Sequence, residues 1–582
     1  MNLAVSAQRR WPRWLAGALG VITALVGLTL LTRPFQSLAI LILLVALGFI
    51  LTGLIELAGR SEALDKRLAT AIGIVWVAAG IAILLWPGLS LRTLALLVGV
   101  ALIVGGITRL LPAIRGDVDE RASAALLGVA GIVLGVVSLG WPDVTLLVVA
   151  VVFGLQLILF GLARIGDAIR SRPRLEAHER PGRLRRWTKT AAAAGALLIS
   201  LALMLVSARL NQGAPVVDAF YKAPADVPAA PGQLVRSEAF DRALPAGAQA
   251  WRILYTTTRG DGSPALGSAL VIAPTAPSST PRPVIAWTHG TTGVDQTCAP
   301  SLLENPFEAG AMFNLDQVIA NGWVMVATDY IGLGTQGPHA YLIGQDEGRA
   351  SLDAVRAAHQ MPELSLDERT VAWGHSQGGH AALWTGIIAP TYAPDDNVIG
   401  VAALAPASDL AGLAGGLGDL TGGEIFASYI IQGYSDHYPD VRFDDYIRPT
   451  ARIAVREIAS RCLAEPEVFV SVATVLVIDK SIWQSEPTTG ALGARLAENV
   501  PRGTIPMPLL LAQGLTDPLV LPDVQATYAA SKCQGGGPVE YRAYEDRGHV
   551  GLVAADSPLI PDLIAWTKDR LAGMPATSTC PD

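Results

Sequence analysis

Ser376 stands between two glycines in the stretch Gly374-His375-Ser376-Gln377-Gly378, with an apolar run before it and an alanine-rich segment after it. A serine hydroxyl is a weak nucleophile until a nearby base takes its proton and a carboxylate orients that base. On a sharp strand-to-helix turn the partners follow in the chain order serine, acid, histidine. Asp517 in "LLLAQGLTDPLV" and His549 in "YEDRGHVGL" keep that order, each just past a strand signal. Together the three residue types imply acyl transfer through a covalent serine intermediate. Asp546 and Asp523 are rival acids; Asp546 lies three residues from His549 on what reads as the same loop, which favours Asp517. His375 adjoins the serine with its side chain expected to point away, and His289, His339, His359 and His437 lack the placement after a strand.

Gly-x-Ser-x-Gly is a weak signal by itself in a chain with 59 glycines. Its setting strengthens it, because "TVAWGHSQGG" reads as a strand ending in a turn and "HAALWTGIIA" as the helix that follows. There the two glycines let the backbone pass close to itself and lift the Ser376 hydroxyl clear of the sheet. An oxyanion formed at that point needs hydrogen-bond donors. The Gln377 N–H is one candidate, and the "THGTTG" loop offers the N–H of Thr291 or Thr292, with a threonine hydroxyl as a further donor.

The elements that must hold these residues alternate. "RPVIAWTHG", "GWVMVATDYIGLG", "TVAWGHSQGG", "VIGVAALAPASD", "MPLLLAQGLTD" and "VEYRAYEDRGH" read as strands, and "EGRASLDAVRAAHQM" has helical spacing. Such alternation predicts a mainly parallel sheet covered by helices, an α/β-hydrolase. Residues 409–505 are too long for a loop and read as an inserted helical cap, whose aromatics either line an acyl pocket or form the cap's own core. Residues 209–235, rich in proline and alanine, read as a linker, and 236–582 as the hydrolase.

These motifs also carry a family likeness. "FYKAPADVPAAPGQLV", "HGTTG", "DYIGLGTQGPHAY", "GQDEGRASLDAVRAA", "GHSQGG" and the Asp517 and His549 segments together resemble the secretory lipase family, the fungal lipase A type, from about residue 220 to 575. The resemblance implies an α/β-hydrolase with a helical cap acting on carboxylic esters, often of lipids. It makes Ser376, Asp517 and His549 the catalytic triad and the Gln377 amide an oxyanion donor. All four cysteines, Cys298, Cys462, Cys533 and Cys580, lie beyond residue 209, with no C-x-x-C among them. An even count confined to one half fits disulfides in an oxidising compartment. Four cysteines permit three pairings; the resemblance implies Cys298–Cys462 and Cys533–Cys580. Neither metal nor cofactor is called for.

The first half is of another kind. Residues 1–209 carry 21 basic and 10 acidic side chains, the remainder 22 basic and 40 acidic. A balance that acidic argues against nucleic acid as a partner of the second half. Runs free of charge occupy roughly 14–32, 34–55, 68–91, 93–108, 122–142, 144–163 and 190–208. A hydrocarbon core needs about 20 apolar residues per helix, so these read as seven transmembrane spans. Pro34, Pro87 and Pro142 lie 53 and 55 residues apart, each at the tip of a tight turn, so one helical hairpin is used three times. Eighteen basic residues fall on the N-terminal side of the bundle against two, Arg33 and Arg92, on the other. That bias predicts a cytoplasmic N-terminus, six spans in residues 1–189 and a seventh, 190–208, leading outward. The three-hairpin pattern resembles the HdeD-like family of acid-resistance membrane proteins. The spans hold no carboxylate, lysine or histidine suited to an ion relay, which favours anchoring over transport.

The expectation is thus a membrane-anchored extracytoplasmic serine esterase or lipase, with an acyl ester or lipid as substrate and the bilayer as its other partner. No oligomeric state is implied. An acyltransferase using the same three residues, and a membrane stress or transport protein with an accessory hydrolase, are the alternatives.

Overall fold

The computed structural model describes residues 13–32, 66–85, 91–115, 118–140 and 183–210, scattered positions between 43 and 57 and between 154 and 166, and residues 215–580 apart from 311, 313, 477, 479, 480 and 536. The turn prolines Pro34, Pro87 and Pro142 and most of the basic segment before residue 183 lie outside the described residues. The chain divides into two compact units, residues 1–212 with 476–480, and the remainder.

The first unit is helical: α1 (Arg13–Thr32), α2 (Lys66–Leu85), α3 (Leu91–Arg115), α4 (Val118–Gly140) and α5 (Arg183–Leu210), with further helical positions in 43–57 and 154–166. Two described helical stretches are long and apolar enough to cross a membrane, Arg121–Gly140 and Trp187–Arg209. The helices meet at small residues seven apart. A Cβ on Gly106 would lie 2.5 Å from the Gly128 carbonyl oxygen, and one on Gly135 2.7 Å from that of Gly99. Likewise a Cβ on Gly53 would lie 2.5 Å from the Gly73 oxygen and one on Gly80 2.7 Å from the Ala46 oxygen; one on Gly27 would lie 2.5 Å from the Gly154 oxygen and one on Gly161 2.5 Å from the Gly20 oxygen. Residues 20/27, 46/53, 73/80, 99/106, 128/135 and 154/161 therefore form three equivalent close contacts, a backbone-to-backbone approach that only small side chains permit. The outward side chains are large and apolar: Ile22, Leu25, Ile74, Val75, Leu96 and Leu205 are all exposed.

The second unit is built on a nine-stranded sheet in the order β1-β2-β3-β5-β4-β6-β7-β8-β9. β1 (Leu234–Phe240), β2 (Ala248–Thr258) and β3 (Pro264–Pro274) are antiparallel, and β3 also meets β5 antiparallel. β4 (Arg282–Thr288), β5 (Val324–Thr328), β6 (Leu366–His375), β7 (Val398–Leu404), β8 (Leu509–Gly514) and β9 (Val539–Tyr544) run parallel. These six strands are the ones read from sequence, and the mainly parallel sheet is as expected. The near-continuous apolar runs of β4, β5, β7 and β8 follow from helices on both faces. Val371 and Trp373 of β6 enter one core with Trp287, Leu404 and Trp566, while Ala372 between them enters the other with Leu383, Val401 and Leu511.

Helices α6 (Leu315–Ala320), α7 (Gly344–Ala358) and α8 (Gln377–Tyr392) connect the middle strands, and α15 (Pro522–Cys533) and α16 (Leu559–Leu571) flank the last. Between β7 and β8 the chain forms α9 (Leu410–Gly416), α10 (Gly423–His437), α11 (Phe443–Tyr446), α12 (Arg452–Ala459), α13 (Val468–Leu476) and α14 (Gly490–Glu498). Two disulfides join Cys298 to Cys462 and Cys533 to Cys580, the pairing that the family resemblance implied. The stretch read as a linker, 209–235, needs correcting at its end. Phe220 and Tyr221 are buried, the Tyr221 hydroxyl bonds Ser301 Oγ at 2.7 Å, and β1 already begins at Leu234. Aromatic anchors in a proline-rich frame pull that segment onto the sheet.

Candidate active site

Ser376 follows the last residue of β6 and precedes the first of α8 with φ 58° and ψ −117°, in the region that L-residues avoid. Such strain persists only where the surroundings over-determine it. Here they do: a Cβ on Gly374 would collide with the Gly378 carbonyl and Thr288 Oγ1, and one on Gly378 with the Thr288 carbonyl. The Thr288 hydroxyl closes the turn by donating to the Gly378 oxygen at 2.7 Å. Both glycines of the motif are thus required by the close passage of α8 over the end of β4.

The structure brings Ser376, His549 and Asp517 into one hydrogen-bonded row. His549 Nε2 lies 2.8 Å from Ser376 Oγ, and His549 Nδ1 lies 2.7 Å from Asp517 Oδ2. An ionised carboxylate only accepts, so Nδ1 carries the proton and Nε2 turns its lone pair to the serine. Asp517 Oδ1 accepts the Leu519 and Val520 amides at 2.8 and 2.9 Å, and Gln513 Nε2 donates to Oδ2 at 3.2 Å. Burial alone would raise the Asp517 pKa; the bonds from His549 and the two amides outweigh it and hold the carboxyl below its ordinary value. Asp523 sits instead in the first turn of α15, and Asp546 takes a left-handed turn position with φ 55°.

His375 does not point away as expected. Its Nε2 lies 3.0 Å from the His549 carbonyl oxygen and its ring centroid 4.8 Å from that of His549. Burial, reinforced by neighbouring His549, pushes its pKa down to about 3, so the neutral ring donates from Nε2 and pins the His549 backbone. The turn that lifts Ser376 out of the sheet leaves His375 as the inward residue facing the last loop. His289 also departs from expectation: it directly follows β4, yet it is buried against Tyr330 at a centroid distance of 4.4 Å, with Nδ1 2.6 Å from the Gly290 oxygen.

The two threonines of the "HGTTG" loop, equal in sequence, differ in place. Thr292 is fully buried and its hydroxyl donates to the Cys298 carbonyl at 2.8 Å, while its own carbonyl accepts the Leu463 amide at 2.7 Å. Thr291 is half-buried, with Oγ1 2.9 Å from the Tyr341 hydroxyl. Gly290 packs close to His375, the residue before Ser376, and Gly293 (φ +135°) packs on the Cys298 sulfur. The Cys298–Cys462 bridge therefore underlies this loop. Tyr341 was missed in the sequence reading; its only signal was membership of the quoted "GPHAY" stretch.

Beside Asp517 a cavity of about 300 Å³ is lined by Ala407, Leu413, Leu420, Leu519, Val520 and Val524, among others. Its walls are largely aliphatic. Of the two roles open to the aromatics of the insertion, Tyr429 and Tyr434 take the core one: both are buried, and they bond the Arg461 and Leu342 carbonyls at 3.0 Å each.

The parallel sheet, the strained serine at a strand-to-helix turn and the loops after β8 and β9 define an α/β-hydrolase. The family described as "Secretory lipase" matches residues 308–579, which bears out the resemblance for the C-terminal half. Lipase 6 of Candida albicans is 25% identical over 424 residues, 66% of this chain and 87% of that protein. Lipase A of Moesziomyces aphidis is 26% identical, covering 64% and 84%. A Mycobacterium tuberculosis protein named as a probable inactive lipase is 28% identical, covering 62% and 84%. The solved structure of Candida antarctica lipase A aligns with a TM-score of 0.54 at 22% identity, over 62% of this chain and 87% of that one, a likeness of fold. In the N-terminal half a short repeat of unknown function, DUF308, matches at 18–68, 71–124 and 126–207, in keeping with the threefold repeat.

Proposed function

We propose that the chain is a membrane-anchored serine esterase or lipase that hydrolyses carboxylic esters through an acyl-enzyme on Ser376. The observation that carries this reading is the row Asp517–His549–Ser376, with the serine held at a positive φ. In the first half-reaction Ser376 Oγ bonds to the ester carbonyl carbon while His549 Nε2 takes the hydroxyl proton. The carbon–oxygen bond to the alcohol then breaks, and His549 returns its proton to the departing alkoxide. Water repeats the sequence and releases the acid. Asp517 keeps the Nδ1–H tautomer and stabilises the imidazolium. The Gln377 N–H, at the first position of α8 where no helical acceptor exists, and the N–H or hydroxyl of Thr291 stabilise the oxyanion. Thr292 contributes at most its amide, since its hydroxyl is committed to Cys298. Ala407, whose amide donates to the Ser376 carbonyl at 3.2 Å, links the serine to the aliphatic cavity, which suits an acyl chain. An acyl transfer to an alcohol acceptor would use the same groups.

Replacing Ser376 by alanine is expected to lower turnover of a chain-length series of aryl esters by about 10⁴-fold or more. Near-wild-type turnover by the folded variant would exclude the assignment.

The apolar outward faces and the two long apolar helices support anchoring by the N-terminal unit, and the positive-inside bias supports a cytoplasmic N-terminus. Two disulfides support an extracytoplasmic catalytic unit. A reporter active only outside the cytoplasm should work when fused after residue 215 and be silent near residue 178. The reverse pattern would put the catalytic unit in the cytosol.

A further inference from the structure

Directly behind the nucleophile lies a buried polar cluster that ester hydrolysis, as described, does not use. Glu347 on α7 and His380 on α8 are fully buried and paired, with His380 Nδ1 3.0 Å from Glu347 Oε2. The other ring nitrogen, Nε2, lies 2.8 Å from the Asn499 carbonyl oxygen, just past α14. Glu347 Oε1 accepts the Leu342 amide at 3.0 Å and Gln377 Nε2 at 2.8 Å. Gln377, the residue after the nucleophile, is itself buried, and its amide nitrogen also lies 3.3 Å from His339 Nε2.

Hydrogen-bond chemistry fixes the orientation of that side chain. His339 Nδ1 is 3.1 Å from the Ile331 carbonyl oxygen, which can only accept, so Nδ1 bears the proton and Nε2 accepts. The Gln377 NH₂ must then face both Glu347 and His339, and its Oε1 is left buried without a partner. A buried unpaired acceptor lowers stability. What the arrangement secures is geometry: the side chain of the residue bearing the first free amide of α8 is gripped from α7 and from the His339 loop.

We propose that Glu347 is a positioning residue for Gln377. It clamps the Gln377 side chain so that the Gln377 N–H stays aimed at the oxyanion. His380 Nδ1, 3.0 Å from Glu347 Oε2, holds the other carboxylate oxygen in place behind the site. The inference rests on the ester-hydrolysis reading.

The test uses the full chain, with kcat and KM measured on a soluble aryl ester and kcat normalised to serine titrated by an organophosphonate. Glu347→Leu and Gln377→Met are each expected to lower kcat on the order of 10- to 100-fold with little change in KM. Their double variant should be no worse than the poorer single, because both remove one clamp. Glu347→Gln, whose side-chain carbonyl can still accept from Gln377 Nε2, should recover most of kcat. Should Glu347→Leu not fold, Gln377→Met still decides, since it leaves the Glu347–His380 pair in place. Unchanged kcat per titrated serine in Gln377→Met, or fully additive losses in the double variant, would overturn the inference while leaving ester hydrolysis standing. A wild-type chain that turns over no ester would overturn both.

Discussion

In the N-terminal unit small residues, glycine at every position but Ala46, stand seven apart in six helical segments, and each carbonyl they touch belongs to another helix. In the C-terminal unit the two glycines at 374 and 378 touch each other's turn and the end of β4, and what they admit is a strained serine. The same residue type brings whole helices together in one region and bends a single turn around a reactive group in the other. Polar groups divide likewise. Among the described residues of the first unit the buried polar side chains are Ser138 and Ser200, whose hydroxyls return to the Gly135 and Ala196 carbonyls of their own helices. The second unit buries carboxylates, histidines and amides in bonded rows, of which Asp517–His549–Ser376 and Glu347–Gln377–His339 are two. Among the described residues, the bundle interior is thus built on small-residue packing, and the bonded polar rows lie in the second unit.

The largest effect that would sharpen this division concerns the base. His549→Ala should lower ester turnover by about 10⁴-fold, and Asp517→Asn by a similar order, with the circular-dichroism spectrum unchanged. Activity surviving in His549→Ala would remove the reactive half of the contrast. Next is the second disulfide. Replacing Cys533 and Cys580 by alanine should destabilise the catalytic unit by about 2–4 kcal/mol, read as a lower unfolding midpoint in denaturant. An unchanged midpoint would show that the bridge constrains little.

The bundle is tested by overpacking. Gly106→Leu places side-chain atoms where the Gly128 backbone already lies and should cost about 1–3 kcal/mol or more in helix association, visible as loss of a monodisperse detergent-solubilised species. Ester turnover per titrated serine should not change. A fall in turnover with an intact bundle would break the independence of the two units.

The smallest expected effect concerns Asp396, buried after α8 with Arg356 Nε 3.9 Å away. Burial, opposed by Arg356 and reinforced by Asp395 and Asp353, pushes its pKa up to about 8. The fold thus holds this proton more tightly than the unfolded chain does. Its contribution to stability is complete at low pH and is lost as pH rises through the folded value. Asp396→Asn should flatten the fall in melting temperature between pH 5 and about 8. An undiminished fall would place the titration elsewhere.

Much of this was legible in the sequence where local pattern and function coincide. Ser376 and Asp517 each follow an apolar run and His549 the alternating β9 segment, and a strand end is visible in one dimension. The repeat was visible through Pro34, Pro87 and Pro142, although the glycine contacts that share its period of 53 and 55 residues were hidden among 59 glycines. β1 and β2 escaped because they are antiparallel additions at one edge that mix polar and apolar residues, and β3, though apolar and mostly buried, leads into β4 without a helix and so falls outside the β-α alternation. The roles of Thr291 and Thr292 could not be separated, since what distinguishes them is a carbonyl at Cys298 and a hydroxyl at Tyr341. Glu347 read as one more charge in the first turn of a helix; only the fold sets it behind Gln377.

The central claim is that one serine, activated by His549, becomes covalently acylated. Treating the full chain with an activated organophosphonate ester and mapping the peptides by mass spectrometry tests it most directly. The account predicts a single stoichiometric adduct on Ser376, absent from Ser376→Ala and formed far more slowly in His549→Ala. An adduct on another residue, or equal labelling of wild type and His549→Ala, would contradict it.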